Sequence, residues 1–121
     1  MAQLVIECGG TPIFHLDSCW DREFEAFKEL PAHKCILSLD GTSDIRLARK
    51  VLGDHSCLMG DVPASLLAFG TAKEVYDHTT ALIRDVGPET GYIVCSGCDI
   101  PSNAKFENVK AMVDAAHDFL G

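Results

Sequence analysis

A chain of 121 residues that is 47% hydrophobic can bury one real core, so a single domain, residues 1–121, is expected and disorder is excluded. Eighteen acidic against ten basic residues give a net charge of −8 spread along the chain, which argues against nucleic acid or an anionic membrane as partner. No apolar run reaches the roughly 18 residues that span a bilayer, and no basic stretch follows Met1, so a cytoplasmic protein without a membrane span or secretory signal is expected.

Ala2 to Glu7 is short and apolar and precedes Gly9-Gly10, so it reads either as a strand or as a last helical turn stopped by glycine. Pro12 to Asp17 reads as the first strand, with Ser18-Cys19-Trp20-Asp21 as its polar exit. Phe24, Phe27 and Leu30 share a helical face that Pro31 ends, and Ser18 or Asp21 can cap its start. Lys34 to Leu39 is the second strand, closed by Asp40-Gly41-Thr42. Ser43 or Asp44 then caps a helix with Ile45, Ala48, Val51 and Leu52 inward and Gly53 at its end.

Ser56 to Met59 is the third strand, followed by Gly60-Asp61-Val62-Pro63 and a short helical turn from Ala64 to Phe69. Thr71 caps the longest helical pattern, with Val75, Tyr76, Thr79, Leu82, Ile83 and Val86 on one face, and Gly87-Pro88 ends it. The fourth strand is the apolar run Tyr92 to Val94. It breaks into Cys95-Ser96-Gly97-Cys98-Asp99, and a last helix starts near Lys105 with Val109, Met112, Val113, Ala116, Phe119 and Leu120 on its apolar face. Four successive βα units, strands of about four to six residues and helices of about ten to sixteen, imply an α/β fold with parallel strands. The strands are apolar on both sides, as when both faces are covered.

In a parallel sheet all carboxyl ends lie on one side, so the strand exits converge. The first supplies His15, Asp17 and Cys19, the second Asp40 and Thr42, the third Asp61, the fourth Cys95, Cys98 and Asp99. The amino ends offer nothing comparable. Imidazole and thiolate are zinc ligands, so His15 and Cys98, with Asp17 or Cys19 as third, form the candidate metal set, and three ligands leave one position open for substrate. Asp40 and Asp61 are the candidate catalytic carboxylates, and Asp99, Thr42 and Trp20 the candidate substrate contacts.

The more ordinary readings stand beside these. Cys95-Ser96-Gly97-Cys98 has redox-motif spacing, but such pairs open a helix and here Pro101 and Asn103 intervene. Cys35 and Cys57 lie in apolar strands and read as packed core thiols. Trp20 fits a lid on the core as well as a substrate platform. His33, His55, His78 and His117 read as surface residues, and Glu107 and Asn108 as first-turn helix residues. A flavodoxin-like binding domain would need a phosphate-binding glycine loop after the first strand, and Ser18-Cys19-Trp20 is not one.

Gly97-Cys98-Asp99-Ile100-Pro101 followed by Glu107-Asn108-Val109-Lys110-Ala111-Met112-Val113 resembles the carboxyl-terminal signature of the uroporphyrinogen decarboxylase superfamily. So do His15-Leu16-Asp17, Asp40-Gly41, Leu52-Gly53-Asp54 and Leu58-Met59-Gly60-Asp61-Val62-Pro63, in order over essentially the whole chain. The resemblance implies the carboxyl-terminal half of a (βα)8 TIM barrel, with Ala2 to Glu7 as the tail of a preceding helix. It implies one of two chemistries for a full-length member. One is methyl transfer between a corrinoid and a thiol or other acceptor, using zinc held by a His-x-Cys pair and a later Gly-Cys cysteine. The other is cofactor-free decarboxylation of a tetrapyrrole in porphyrin biosynthesis.

His15 and Cys98 match the methyltransferase positions, and Asp17 stands where the first cysteine would be. Decarboxylases of the family tend to carry histidine where this chain has Cys98. The corrinoid would come on a partner protein, since Asp54-His55 and Asp77-His78 lack the spacing of a cobalamin-binding Asp-x-His-x-x-Gly pattern. A half-barrel alone is expected to be inactive, or to close by self-association or with the missing amino-terminal half.

Overall fold

A computed structural model describes residues 1–87 and 91–119 of the chain. Four strands, β1 (Ile13–Leu16), β2 (Ile36–Leu39), β3 (Cys57–Val62) and β4 (Tyr92–Ser96), form one sheet in the order β1-β2-β3-β4. Every neighbouring pair is parallel, with His15 opposite Ser38, Ser38 opposite Met59, Met59 opposite Ile93 and Asp61 opposite Cys95. The helices are α1 (Ala2–Glu7), α2 (Ile45–Leu52), α3 (Ala64–Phe69), α4 (Ala72–Val86) and α5 (Phe106–Phe119). The α/β alternation read from the sequence is therefore the observed one, and Ala2–Glu7 is helical rather than a strand. None of these helices is long and apolar enough to cross a membrane.

The core lies on one face of the sheet. Leu16, Leu37, Leu39, Leu58 and Val62 meet Ile45, Ala48 and Leu52 of α2, Val75, Leu82 and Val86 of α4, and Ala111 and Met112 of α5. Asp44 caps α2 by accepting from the amides of Arg46 and Leu47, and Gly53 ends it at a positive φ of 56°. Thr71 and Glu74 close a capping box on α4.

Several local expectations change. The segment around Phe24 and Phe27 is a 3-10 turn, Phe24–Glu29, not an α-helix, and neither Ser18 nor Asp21 caps it. The segment is six residues long, and Pro31 follows two positions after its end. An i,i+3 repeat is enough to bury Phe24 and to set Phe27 edge-on against Phe14 at 5.6 Å. Asp21 instead accepts from the Asp44 amide at 2.8 Å, and Ser43, rather than capping α2, bridges the Trp20 amide and the Ser18 carbonyl.

The third strand runs on through Gly60-Asp61-Val62, and the fourth includes Cys95 and Ser96. Gly60 makes the first extension possible, since a β-carbon there would stand 2.5 Å from the Leu39 carbonyl oxygen. Two of the helical segments between strands are shorter than expected, at six and eight residues, while Ala64–Phe69 is the short helical turn read from the sequence. The sheet is covered on one face only: Ile13 (57% exposed) and Ile93 (42%) lie on the side away from the helices. Val113 is exposed on α5, and Pro88 and Leu120 lie outside the described residues.

Candidate functional site

The carboxyl ends of the strands open into two cavities. The first, about 440 Å3, is lined by His15, Asp17, Ser38, Cys95, Ser96, Gly97, Cys98 and Asp99. It joins residues from the exits of β1 and β4 with one from the middle of β2. His15 is held from both sides: Nδ1 lies 3.2 Å from the Ser38 hydroxyl, and Nε2 lies 3.1 Å from a carboxylate oxygen of Asp17. The Ser96 hydroxyl donates to the Cys98 carbonyl, which folds the β4 exit back toward the strand. Cys98 is exposed.

The second cavity, about 360 Å3, lies over the amino end of α2, among Asp21, Thr42, Asp44, Arg46, Asp61 and His78. Burial pushes the Asp61 carboxyl up from 3.8 to about 6, against the pull of Arg46, with Asp44 and Asp40 adding to the rise. Burial and nearby Arg46 also lower the pKa of His78, whose buried Nε2 has no partner among the described residues. His78 is thus not a plain surface residue, and neither is His55, whose Nε2 meets the Leu30 carbonyl at 2.7 Å.

Asp40 braces the exits of β1 and β2. Its carboxylate accepts from the Ser18 amide at 3.2 Å and the Thr42 amide at 2.8 Å. Burial alone would raise its pKa, but those hydrogen bonds, with His15 nearby, hold it below the ordinary value. Gly97 sits against Asp40 so closely that a β-carbon would stand 2.6 Å from the Asp40 carbonyl oxygen.

Of the residues singled out from the sequence, His15, Asp17, Cys98 and Asp99 share the first cavity, and Thr42 and Asp61 share the second. Cys19 is exposed and Trp20 half-buried, and neither lines either cavity. Trp20 packs on Phe27 at 6.2 Å between centroids, and its indole N–H donates to the Asp17 carbonyl at 2.7 Å. Cys95, named among the strand exits, also lines the first cavity. Ser38, Arg46 and His78 carried no site signal in the sequence and needed the fold.

The donor set matches zinc in kind, an imidazole nitrogen, a carboxylate oxygen and a thiol sulfur lining one cavity. It is not a closed centre: among the described residues no three His, Cys, Asp or Glu groups converge as metal ligands would.

The profile of the uroporphyrinogen decarboxylase (URO-D) family matches residues 2–119. Uroporphyrinogen decarboxylase of Neisseria meningitidis is 32% identical over 82 residues, which is 68% of this chain and 23% of that one. The enzyme of Thioalkalivibrio sulfidiphilus is 32% identical over 81 residues, and that of Coxiella burnetii 31% over 84, each again with 23% of its length matched. The match thus spans about a quarter of these relatives. Among solved structures, a methyltransferase from Methanosarcina mazei superposes with a TM-score of 0.80 at 17% identity, covering 99% of this chain and 34% of that one. At that identity the likeness shows the fold, here half of a TIM barrel.

Proposed function

For a chain that belongs to the uroporphyrinogen decarboxylase (URO-D) family, we propose the carboxyl-terminal part of a site for methyl transfer between a corrinoid, carried by a separate protein, and a thiol or other acceptor. The observation behind this reading is the cavity shared by His15, Asp17 and Cys98, three donor groups drawn from opposite edges of the sheet. His15, Asp17 and Cys98 would hold zinc, whose charge when bound favours the thiolate form of an acceptor thiol. The remaining work falls to the protein. Ser38 orients the His15 ring through Nδ1, which leaves Nε2, on the Asp17 side, as the nitrogen that would face the metal. Asp40 keeps the exits of β1 and β2 in register, and Asp99 places a polar group at the rim.

Asp61 supports a second reading, decarboxylation of a tetrapyrrole. A carboxyl with a pKa of about 6 beside a guanidinium combines a proton donor with a carboxylate anchor. Arg46 would bind a substrate carboxylate. As the carbon–carbon bond to the departing CO2 breaks, its electron pair stays on the substrate carbon, and that carbon takes the proton of Asp61.

Metal analysis of the purified protein separates the two. The methyl-transfer reading expects about one zinc per chain, lost in both His15→Ala and Cys98→Ala while the fold is kept. A parent protein that stays metal-free after dialysis against zinc counts against it and in favour of decarboxylation.

A further inference from the structure

The sheet has two features that a finished parallel fold does not leave open. Among the described residues, the outer edges of β1 and β4 pair with nothing, and one face of all four strands is bare of helices. By the register, that bare face carries Ile13, Ile36 and Cys57 in one row, His15, Ser38, Met59 and Ile93 in the next, and Asp61 opposite Cys95 beyond them. Its lowest row is apolar, and its ionisable groups stand toward the carboxyl ends of the strands. This is the make-up of a barrel lumen, an apolar floor below a polar mouth.

We propose that this face is closed by a second copy of the chain, giving an eight-stranded parallel barrel from two half-barrels. The strand order runs without reversal from β1 to β4, and all strands point the same way. A twofold rotation about an axis along the strands therefore sets β4 of each copy beside β1 of its partner, in parallel, and continues the order around a closed ring. Four strands plus four is the number that closes a TIM barrel, and an isologous pair satisfies both free edges at once. Exposed apolar side chains also lie beside the seams: Leu4 on α1, which precedes edge strand β1, and Phe106 and Val113 on α5, which follows edge strand β4. In the closed ring the two His15-containing cavities open onto one lumen. The proposal rests on the half-barrel fold and not on the metal chemistry.

Sedimentation of the chain at micromolar concentration tests it. The expected result is the mass of two chains. Ile13→Lys with Ile93→Lys weakens association by at least about a hundredfold, since it would bury four ammonium groups, two from each copy, in the lumen. The far-UV signal is retained, because both side chains are already largely exposed in one chain. Amide exchange supplies a second readout: concentrating the parent slows exchange in Ile13–Leu16 and Tyr92–Ser96 together. A one-chain mass, a dimer indifferent to both lysines, or a dimer without protection of those two strands overturns the proposal. A monomer that still binds zinc through His15 and Cys98 overturns it while leaving the methyl-transfer reading intact.

Discussion

Gly97 packs on the backbone of Asp40 at a distance that admits no side chain: a β-carbon would stand 2.6 Å from the Asp40 carbonyl oxygen and 3.0 Å from its carbon. The contact ties the exit of β4 to the exit of β2 and so sets the wall of the His15 cavity. Because the opposing atoms are backbone, relief requires the strand exits to separate. Gly97→Ala should cost about 2–3 kcal/mol, as overpacking does, and should abolish the proposed zinc binding before it abolishes folding. Urea unfolding and metal titration of the variant check this, and an unchanged midpoint would refute it.

Asp61 should make stability fall as pH rises. Its folded pKa, about 6, lies above the ordinary 3.8, so between those values the folded state keeps a proton that the unfolded state has lost. Its favourable contribution is present below pH 3.8 and is lost as pH rises through about 6. At roughly 1.4 kcal/mol per unit the ionised carboxylate opposes folding by about 3 kcal/mol at neutral pH. Asp61→Asn should therefore be the more stable protein at pH 7 and nearly equal to the parent near pH 4. Urea midpoints at the two pH values decide the point.

Asn108 is fully buried, and its side-chain N–H groups donate to the carbonyls of Leu67 (3.0 Å) and Gly70 (2.9 Å) at the end of α3. In the sequence it passed for a first-turn residue of its own helix. In the fold it reinforces the terminal carbonyls of another one, which also accept from the Lys105 amide (3.1 Å, at Leu67) and the Lys105 ammonium (3.3 Å, at Gly70). Asn108→Leu removes two buried hydrogen bonds and should cost about 1–2 kcal/mol. Asn108→Asp should cost more, because a carboxylate would face carbonyl oxygens. The order of the melting temperatures, parent above Leu above Asp, is the measurement.

Arg49 clasps the opposite end of the sheet. Its guanidinium donates to the carbonyls of Val86 (2.6 Å), Gly91 (2.7 Å) and Gly53, joining α2, the end of α4 and the start of β4. A lysine keeps the charge but not the planar fork. Arg49→Lys should lower stability by about 1–2 kcal/mol with metal content unchanged, since the clasp lies away from the strand exits. Loss of metal in this variant would mean that the two ends of the sheet are coupled.

The sequence by itself determined the order of the elements, because hydrophobic period, glycine stops and capping residues such as Asp44 and Thr71 act over a few neighbours. It also placed the candidate site residues at one end of the sheet, because carboxylates, His15 and Cys98 gather at the strand exits, whereas the amino ends carry Pro12, Lys34, His55 and Gly91. Tertiary structure decided which of those residues meet. Cys19 and Cys98 follow their strands at similar distances, yet Cys98 lines the His15 cavity and Cys19 does not. The β4 exit is folded back by Ser96 and pressed onto Asp40 through Gly97, whereas the β1 exit is turned by Ser18 at a positive φ of 66° and tied to Ser43. Arg46, His78 and Arg49 owe their surroundings to contacts 30 or more positions away, which no local pattern carries. Burial of Asp61, which shifts its proton, is likewise a property of packed elements and not of the residues beside it.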